Sequence, residues 1–581
     1  MLSGMDPADL RARAQRWIAD DPDPATRAEL FALLARPDPS ATDLADRFAG
    51  TLAFGTAGLR GVLGAGPNRM NRAVVARATW GLARELLESV PGAVERGVVV
   101  GGDARRMSRE LAEDVAAILA GAGLRVLLFR DPVPTPLVGF TVKRLHAAGG
   151  VVITASHNPP EYNGYKVYWE NAAQIVPPVD ARIASAIERA PSARVVSRPA
   201  LQVLRAKGLV ADPPADTEQA YLDAVGALAV HPDAGDRGLR IVYTPLHGVG
   251  DAIVRRALTG ARFTHVESVP EQRKPDGAFP TVSFPNPEEP GAMDRALALA
   301  RASSADLVLA NDPDVDRLAV AVRDGGAYRQ LTGNELGVLL GHYLLTEKPA
   351  RRPRVVLASI VSSPLLGRIA ADLGVRYEET LTGFKWIASR AIALEREGYE
   401  FVFGYEEALG YCIGDVVHDK DGISAALLAA ELTAVLRERG QTLAGALDAI
   451  AARWGVFAST QVSLTRKGAA GAEAIHGAMA RLRRSPPTHL AGDAVVAVVD
   501  YQAGARALPK SDVIALELAS GGRVIARPSG TEPKAKFYFD VREPTDPGEV
   551  PAARSRALAS LSRLKDAFLA ELAAGAASSA S

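Results

Sequence analysis

Gly150-Val151-Val152-Ile153-Thr154-Ala155-Ser156-His157-Asn158-Pro159-Pro160 is the stretch that decides the fold. A short, wholly apolar run ends in a polar turn rich in Ser, Asn and Pro. A run apolar at every position is a strand buried on both faces, which belongs to a mostly parallel sheet between helices. The same layout recurs along the chain. Val98-Val99-Val100 runs into Gly101-Gly102-Asp103, and Leu124 to Phe129 runs into Asp131-Pro132-Val133-Pro134. Leu239 to Tyr243 meets Pro245-Leu246-His247-Gly248, and Leu307-Val308-Leu309 meets Asn311-Asp312-Pro313-Asp314. Helix-like stretches follow these loops. In such α/β folds, ligands bind beyond the carboxyl ends of the strands, so the polar loops are where chemistry is expected.

At 581 residues the chain is too long for a single core. Domains of ~100–150 residues predict about four units. We expect a helical N-terminal extension over 1–50, then domains over 51–212, 213–325, 326–454 and 455–581. After Gly455 the pattern shifts toward strands such as Ala494 to Val499 and Val513 to Leu518, which predicts an α+β last domain. The expected fold is therefore three similar α/β domains with mixed, mostly parallel sheets plus a C-terminal α+β domain around a central cleft.

Lys+Arg and Asp+Glu both number 67, so the net charge is zero. No global field points to nucleic acid or an anionic membrane, and neither is expected as a partner. A phosphorylated small molecule would have to be caught by local clusters. Cys412 is the one cysteine, which removes internal disulfides and a four-cysteine zinc site. The N-terminus lacks the basic-then-apolar pattern of a signal peptide, and no apolar run approaches the ~20 residues of a membrane helix. The expected compartment is the cytoplasm, and the expected assembly a monomer or dimer.

Four loops carry chemistry. In the first, Ser156 follows a buried strand, where its hydroxyl can face a cleft; a bare serine needs a base, a metal or a prior phosphate to act. An ordinary Ser turn ending a strand is the alternative. The second is Asp312-Pro313-Asp314-Val315-Asp316-Arg317. Three converging carboxylates repel one another unless a hard cation or a solvated turn relieves them. It is not a calcium hand, because Arg317 stands where that loop requires glycine. It also fits an aspartyl-phosphatase loop poorly, because Arg317 and Leu318 follow Asp316. The third is Gly404-Tyr405-Glu406-Glu407-Ala408-Leu409-Gly410, whose adjacent carboxylates suit acceptance from sugar hydroxyls or simply mark a turn. The fourth is Arg527-Pro528-Ser529-Gly530-Thr531-Glu532-Pro533-Lys534, with the makings of a phosphate cradle. Two weaker elements join them: the Gly-rich turn Phe54 to Gly61 holding Arg60, and Thr382-Gly383-Phe384-Lys385.

Together and in this order, these segments resemble the α-D-phosphohexomutase family over residues 50–545. The family includes phosphoglucomutases, phosphomannomutases and phosphopentomutases. The resemblance implies roles. Ser156 would be the phosphoserine and, with Asp312, Asp314 and Asp316, would hold Mg2+. Arg317 would lie beside that site. Arg60, His157 and Lys166 would surround the reacting phosphoryl group, with Lys166 or His157 shuttling the hydroxyl proton. For Lys166 that task needs a depressed pKa, which burial and nearby cations could supply. Glu406 and Glu407 would read sugar hydroxyls, Lys385 would add charge near the sugar, and Arg527, Ser529, Gly530 and Thr531 would hold the phosphate that is not reacting. The substrate would be a phosphosugar, with glucose 1,6-bisphosphate as primer. Ala408 stands where many members carry Ser, and Tyr405 where many carry Gly. This version is similar to the subgroup with phosphoglucomutase and phosphopentomutase activity. Phe384-Lys385 resembles the Trp-Lys of phosphoglucomutases. Glucose phosphate is therefore expected ahead of mannose or pentose phosphate, with a bisphosphate synthase and a non-catalytic sensor as further alternatives.

Overall fold

The computed structural model describes residues 6–36, 42–55, 58–465, 468–528 and 534–577. Four sheets follow one another along the chain.

The first sheet has the order 59–62, 162–168, 149–153, 98–102, 126–128, 210–211. Its centre is parallel: Val98–Gly102 pairs in that sense with Val126–Leu128 and Gly149–Ile153. Strand alternation divides its side chains between two layers. Val98, Val100, Val151 and Ile153 pack under the helices Arg72–Ser89 and Ser108–Gly121, while Val99 and Val152 face the helix Thr135–Arg144. Two antiparallel strands extend one edge. Tyr162–Tyr168 pairs with Gly149–Ile153, and Leu59–Val62 pairs with Tyr162–Tyr168, which sets Arg60 opposite Gly164. The N-terminal helices Pro7–Asp20, Pro24–Leu34 and Thr42–Arg47 bury Leu10, Leu30, Leu33 and Phe48 in a small core of their own, with Trp17 reaching the first domain.

The second sheet runs 327–330, 319–324, 307–310, 241–244, 266–268, and the third runs 376–380, 354–359, 400–406, 410–413. Each has a parallel centre with antiparallel strands at one edge. The sequence-based boundary at 325 falls inside a hairpin: Ala327–Gln330 pairs with Ala319–Asp324, so it belongs to the second sheet. Gly325 and Gly326, both at positive φ, form the tip of that hairpin and mimic a linker in the sequence. The fourth sheet is antiparallel throughout, in the order 456–465, 534–543, 523–528, 514–518, 493–500, 489–490. The helices Gly468–Arg484 and Val550–Ala577 accompany it. The last domain is thus α+β.

Backbone bonds stitch the domains together at the loop ends. The Thr135 amide donates to Asp314 O (3.0 Å), the Leu318 amide to Leu409 O (3.0 Å) and the Gly422 amide to Val315 O (3.0 Å). At Gly422 a Cβ would lie 2.4 Å from Arg317 O, so only glycine lets the helix Gly422–Glu438 approach the acidic loop this closely. The fourth domain docks on the third through Ile360, Val361 and Leu381 against Tyr501, Val513, Ile525 and Tyr538. Arg523 fastens the contact, reaching Asp540 (2.7 Å), Glu379 (3.2 Å) and the Ser362 carbonyl.

Candidate active site

Three of the four loops share a backbone signature. Ser156 (φ 53°), Val315 (φ 65°) and Leu409 (φ 63°) are non-glycine residues in the left-handed region. For a β-branched valine this conformation is strongly disfavoured, and such strain concentrates at functional sites. Here it turns each chain sharply where a strand ends, so that neighbouring side chains converge.

The convergence is tight. Ser156 Oγ donates to Asp312 Oδ2 at 2.7 Å and lies 3.1 Å from His157 Nδ1. Ligand oxygens of Asp312, Asp314 and Asp316 all lie within 4.8 Å of one another, and all three residues are buried. Lys166 Nζ reaches Asp314 Oδ2 at 2.7 Å and Asp316 Oδ2 at 2.8 Å. Thr135 Oγ1 also donates to Asp314 Oδ2, at 2.7 Å. The Arg317 amide donates to Asp312 Oδ1 at 3.0 Å, while its guanidinium lies 4.0 Å from Asp312 and Asp316.

The electrostatics follow from burial and crowding. Burial, then Asp314 and Asp316, push the Asp312 carboxyl well above the usual range. Asp316, despite burial, is held well below it by Lys166, Lys420 and Arg317. Lys166 was expected to have a depressed pKa. Its value is instead raised, because Asp314 and Asp316 outweigh the cost of burial. Burial, Arg317 and Arg60 press the His157 imidazole well down, and its ring rests 5.9 Å from that of Phe284. Arg60 stands exposed on the strand Leu59–Val62, near enough to Arg317, Asp314 and Asp316 to feel the charge of all three.

A hard cation suits this donor set. Asp314 Oδ1 and Asp316 Oδ1 are buried without a hydrogen-bond partner. Together with Asp312 and the Ser156 hydroxyl, they offer an all-oxygen arrangement of the kind Mg2+ takes.

The third loop faces the same space from the third domain. Glu406 Oε1 accepts the Gly383 amide at 2.7 Å, tying this loop to the Thr382-Gly383 turn. Glu407 Oε2 lies 3.3 Å from Ser359 Oγ and 3.5 Å from Ser362 Oγ. Burial, then Glu406, push Glu407 up to about 7. Between its ordinary value of 4.5 and about 7, the unfolded chain releases this proton while the folded protein keeps it. The Glu407 contribution to stability therefore falls as pH rises through that window. We expect Glu407→Gln to flatten thermal stability against pH between these limits; parallel curves for variant and wild type would overturn this assignment.

Lys385 makes no hydrogen bond to the carboxylate pair. It is buried with its Nζ unpaired, lies 5.0 Å over the Trp386 ring, and is lowered to about 8 by burial, with Asp180 of the first domain opposing. Arg527 stands on Arg523–Pro528 opposite Lys536 of the neighbouring strand. Glu407 and Glu288 act on Lys536, so this edge of the fourth domain faces the cleft. Ser529, Gly530 and Thr531 lie outside the described residues.

Sequence reasoning missed several participants. Lys420 Nζ is 3.2 Å from Asp316 Oδ2 and 3.4 Å from Asp419 Oδ1, making a second, partly buried ammonium at the acidic loop. Glu288 lies 3.7 Å from Arg317. Arg105 holds the serine loop from behind. Lys420 had a signal in Asp419-Lys420-Asp421-Gly422, an acidic run interrupted by one cation just ahead of a helix.

The chain is similar to known proteins over most of its length. Three profiles of the phosphoglucomutase/phosphomannomutase family match: α/β/α domain I over 51–194, domain II over 219–326 and domain III over 332–453. A probable phosphomannomutase of Haemophilus influenzae is 40% identical over 490 residues, 83% of this chain and 95% of that protein. A phosphopentomutase of Mus musculus is 36% identical over 574 residues, 93% of this chain and 91% of that protein. The fold is also that of the Paramecium phosphoglucomutase pp63/parafusin in its open form (TM-score 0.66, 16% identity, 90% and 96% coverage). With its serine, acidic and paired-glutamate loops meeting across three such domains, the chain belongs to the phosphoglucomutase/phosphomannomutase family of mutases.

Proposed function

We propose that this mutase moves a phosphoryl group between the 1- and 6-oxygens of glucose phosphate, through phosphorylated Ser156 and a bound glucose 1,6-bisphosphate. The observation that carries this reading is the 2.7 Å contact of Ser156 Oγ with Asp312, at the rim of three buried carboxylates, two of which, Asp314 and Asp316, are bridged by Lys166. Phosphoryl transfer depends on positioning and charge neutralisation more than on covalent help, and both are built in here.

In the forward half-reaction, the bond from phosphorus to Ser156 Oγ breaks as a bond from phosphorus to the free sugar hydroxyl forms. The hydroxyl proton passes to His157, whose imidazole is kept neutral beside Ser156 Oγ; Lys166, held as an ammonium by Asp314 and Asp316, has no lone pair to accept it. The bisphosphate then turns, and its other phosphoryl group returns to Ser156 Oγ, leaving the freed sugar oxygen to regain a proton. Ser156, Asp312, Asp314 and Asp316 would hold Mg2+, which would supply charge neutralisation at the transferring group. Arg60 and Arg317 add positive charge on the same side. Glu406 and Glu407 accept from sugar hydroxyls, and Arg527 with Ser529, Gly530 and Thr531 holds the distal phosphate, with Lys385 adding charge at the sugar side. The compartment we assign is the cytoplasm, supported by the lone cysteine of the sequence; among the described residues no helix is long and apolar enough to cross a membrane.

A second reading, pentose 1-phosphate to pentose 5-phosphate, is favoured by the phosphopentomutase that matches 93% of the chain. Ala408 supports it, because a missing hydroxyl loosens the reading of a hexose. The deciding experiment compares kcat/KM on glucose 1-phosphate, ribose 1-phosphate and mannose 1-phosphate, with Mg2+ and bisphosphate primer present. We expect glucose 1-phosphate to lead mannose 1-phosphate by about 10-fold or more, the scale on which a pocket discriminates one hydroxyl. A ribose lead installs the second reading, and a mannose lead sinks both.

A further inference from the structure

Ser156 holds a conformation that its own residue type disfavours, at φ 53°. Both of its backbone groups are fixed by a single ion pair behind the loop. Arg105, only 1% of its side chain exposed, donates from Nη2 to Ser156 O at 2.6 Å and to Asn158 O. From Nη1 it donates to Pro159 O at 2.8 Å and to Tyr162 O at 3.3 Å. Its Nε lies 3.3 Å from Asp103 Oδ2. Asp103 in turn accepts the Thr154 hydroxyl at 2.7 Å, and Thr154 Oγ1 accepts the Ser156 amide at 2.8 Å. The carbonyl of Ser156 is therefore closed through Arg105, and its amide through Thr154 and Asp103.

The second domain covers this pair. The Phe279 ring lies 4.8 Å from Arg105 Cζ. At Gly277 a Cβ would stand 2.7 Å from Ala104 O and 2.9 Å from Arg105 Cα, so the loop rests directly on the Ala104–Arg106 backbone. The same domain carries Asp312, which takes the Ser156 hydroxyl. The second domain thus grips the serine loop from two sides: at the nucleophile, and at the arginine that shapes it.

We propose that Arg105 is a positioning residue for the phosphoryl transfer. It holds the serine loop in its strained turn, so that Ser156 Oγ meets the acidic loop, and Gly277 and Phe279 of the second domain lock it there. A lysine would keep the charge but could not reach four carbonyls at once, because only the planar guanidinium fork has donors in those directions. This inference rests on Ser156 being the phosphorylated nucleophile, and the test separates the two ideas.

The full-length protein is assayed with Mg2+, glucose 1-phosphate and glucose 1,6-bisphosphate, as wild type, Arg105→Lys and Arg105→Ala. Rates are normalised to the fraction of molecules that accept phosphate, read by intact mass. A misplacement of about 1 Å at the nucleophile costs on the order of 100-fold. We expect that loss in kcat for Arg105→Lys, with KM within about 3-fold, the signature of an interaction expressed in the transition state. Added guanidinium should restore Arg105→Ala saturably. A purely structural arginine would lower the folded fraction and leave the normalised kcat unchanged. Should Arg105→Ala fail to fold, Arg105→Lys decides alone. A normalised kcat for Arg105→Lys within about 2-fold of wild type, beyond the scatter of such comparisons, overturns the inference while leaving Ser156 in place. If wild type takes no phosphate on Ser156, the nucleophile reading falls and this inference falls with it.

Discussion

Ser156→Ala is expected to lower turnover by ~10^4-fold or more, the scale seen when a nucleophile is removed from a group that acts as a unit. It also removes the phosphate, a difference of ~80 Da, from the purified protein. The loss should come without unfolding. The serine side chain gives its hydrogen bond to Asp312, but the turn itself is held by the Ser156 amide and carbonyl, which alanine retains. Thermal stability should therefore change far less than activity. A nucleophile among the aspartates would leave the variant active and still phosphorylated, which would refute the phosphoserine mechanism. A sensor that binds without turning over would show unchanged ligand affinity in wild type and variant, with no isomerisation in either.

Much of this site was legible because each loop is a local event. A buried strand such as Gly149–Ile153 must stop, and what stops it must satisfy backbone groups at the sheet's edge, so the polar residues crowd there. The serine and acidic loops could therefore be singled out one at a time as candidates, while their roles came only from the resemblance that the loops carry together. The α/β character of the first domains was legible for the same reason: the parallel strands at the centres of their sheets read as continuous apolar runs. The boundary drawn at 325 lies on the Gly325-Gly326 hairpin tip, because such a tip and a linker have the same glycine signature.

What the sequence hid is what only packing between domains creates. Arg105 stands in a helix-capping region rich in arginine, and nothing local distinguishes it from Arg106 or Arg109. Its role appears only when residues 154–162 fold back over it and Phe279 arrives from another domain. Glu288 and Lys420 gain meaning in the same way, through Arg317 and Asp316. The direction of the Lys166 pKa was misjudged for a related reason. Burial and cations were weighed, but two carboxylates within 2.8 Å decide the balance. The strand Tyr162–Tyr168 is antiparallel to its neighbour, and this turns Lys166 from a residue ten positions past the serine into one that reaches across to the second domain.

Lys166→Met should produce the largest change in stability. The ammonium is 6% exposed and bridges Asp314 and Asp316, whose side chains are 0% and 1% exposed. Removing one partner of a buried ion pair leaves uncompensated charge in the interior, at a cost of about 3–5 kcal/mol. Lys420 offsets part of this, since it also reaches Asp316, but it makes no such contact with Asp314. The metal-free variant should therefore melt well below wild type. Mg2+ should recover much of the difference, because a ligand that binds only the folded state stabilises it in proportion to the logarithm of its concentration over Kd. The rise in Tm with added Mg2+ should also be larger in Lys166→Met than in wild type, since in wild type the ammonium already neutralises the same two carboxylates through their other oxygens. Chelation should silence wild-type turnover reversibly, but that readout alone does not locate the ion. The thermal comparison does: an equal Mg2+ response in both proteins would mean that the cation binds away from Asp314 and Asp316, and that the two orphaned oxygens there have some other use.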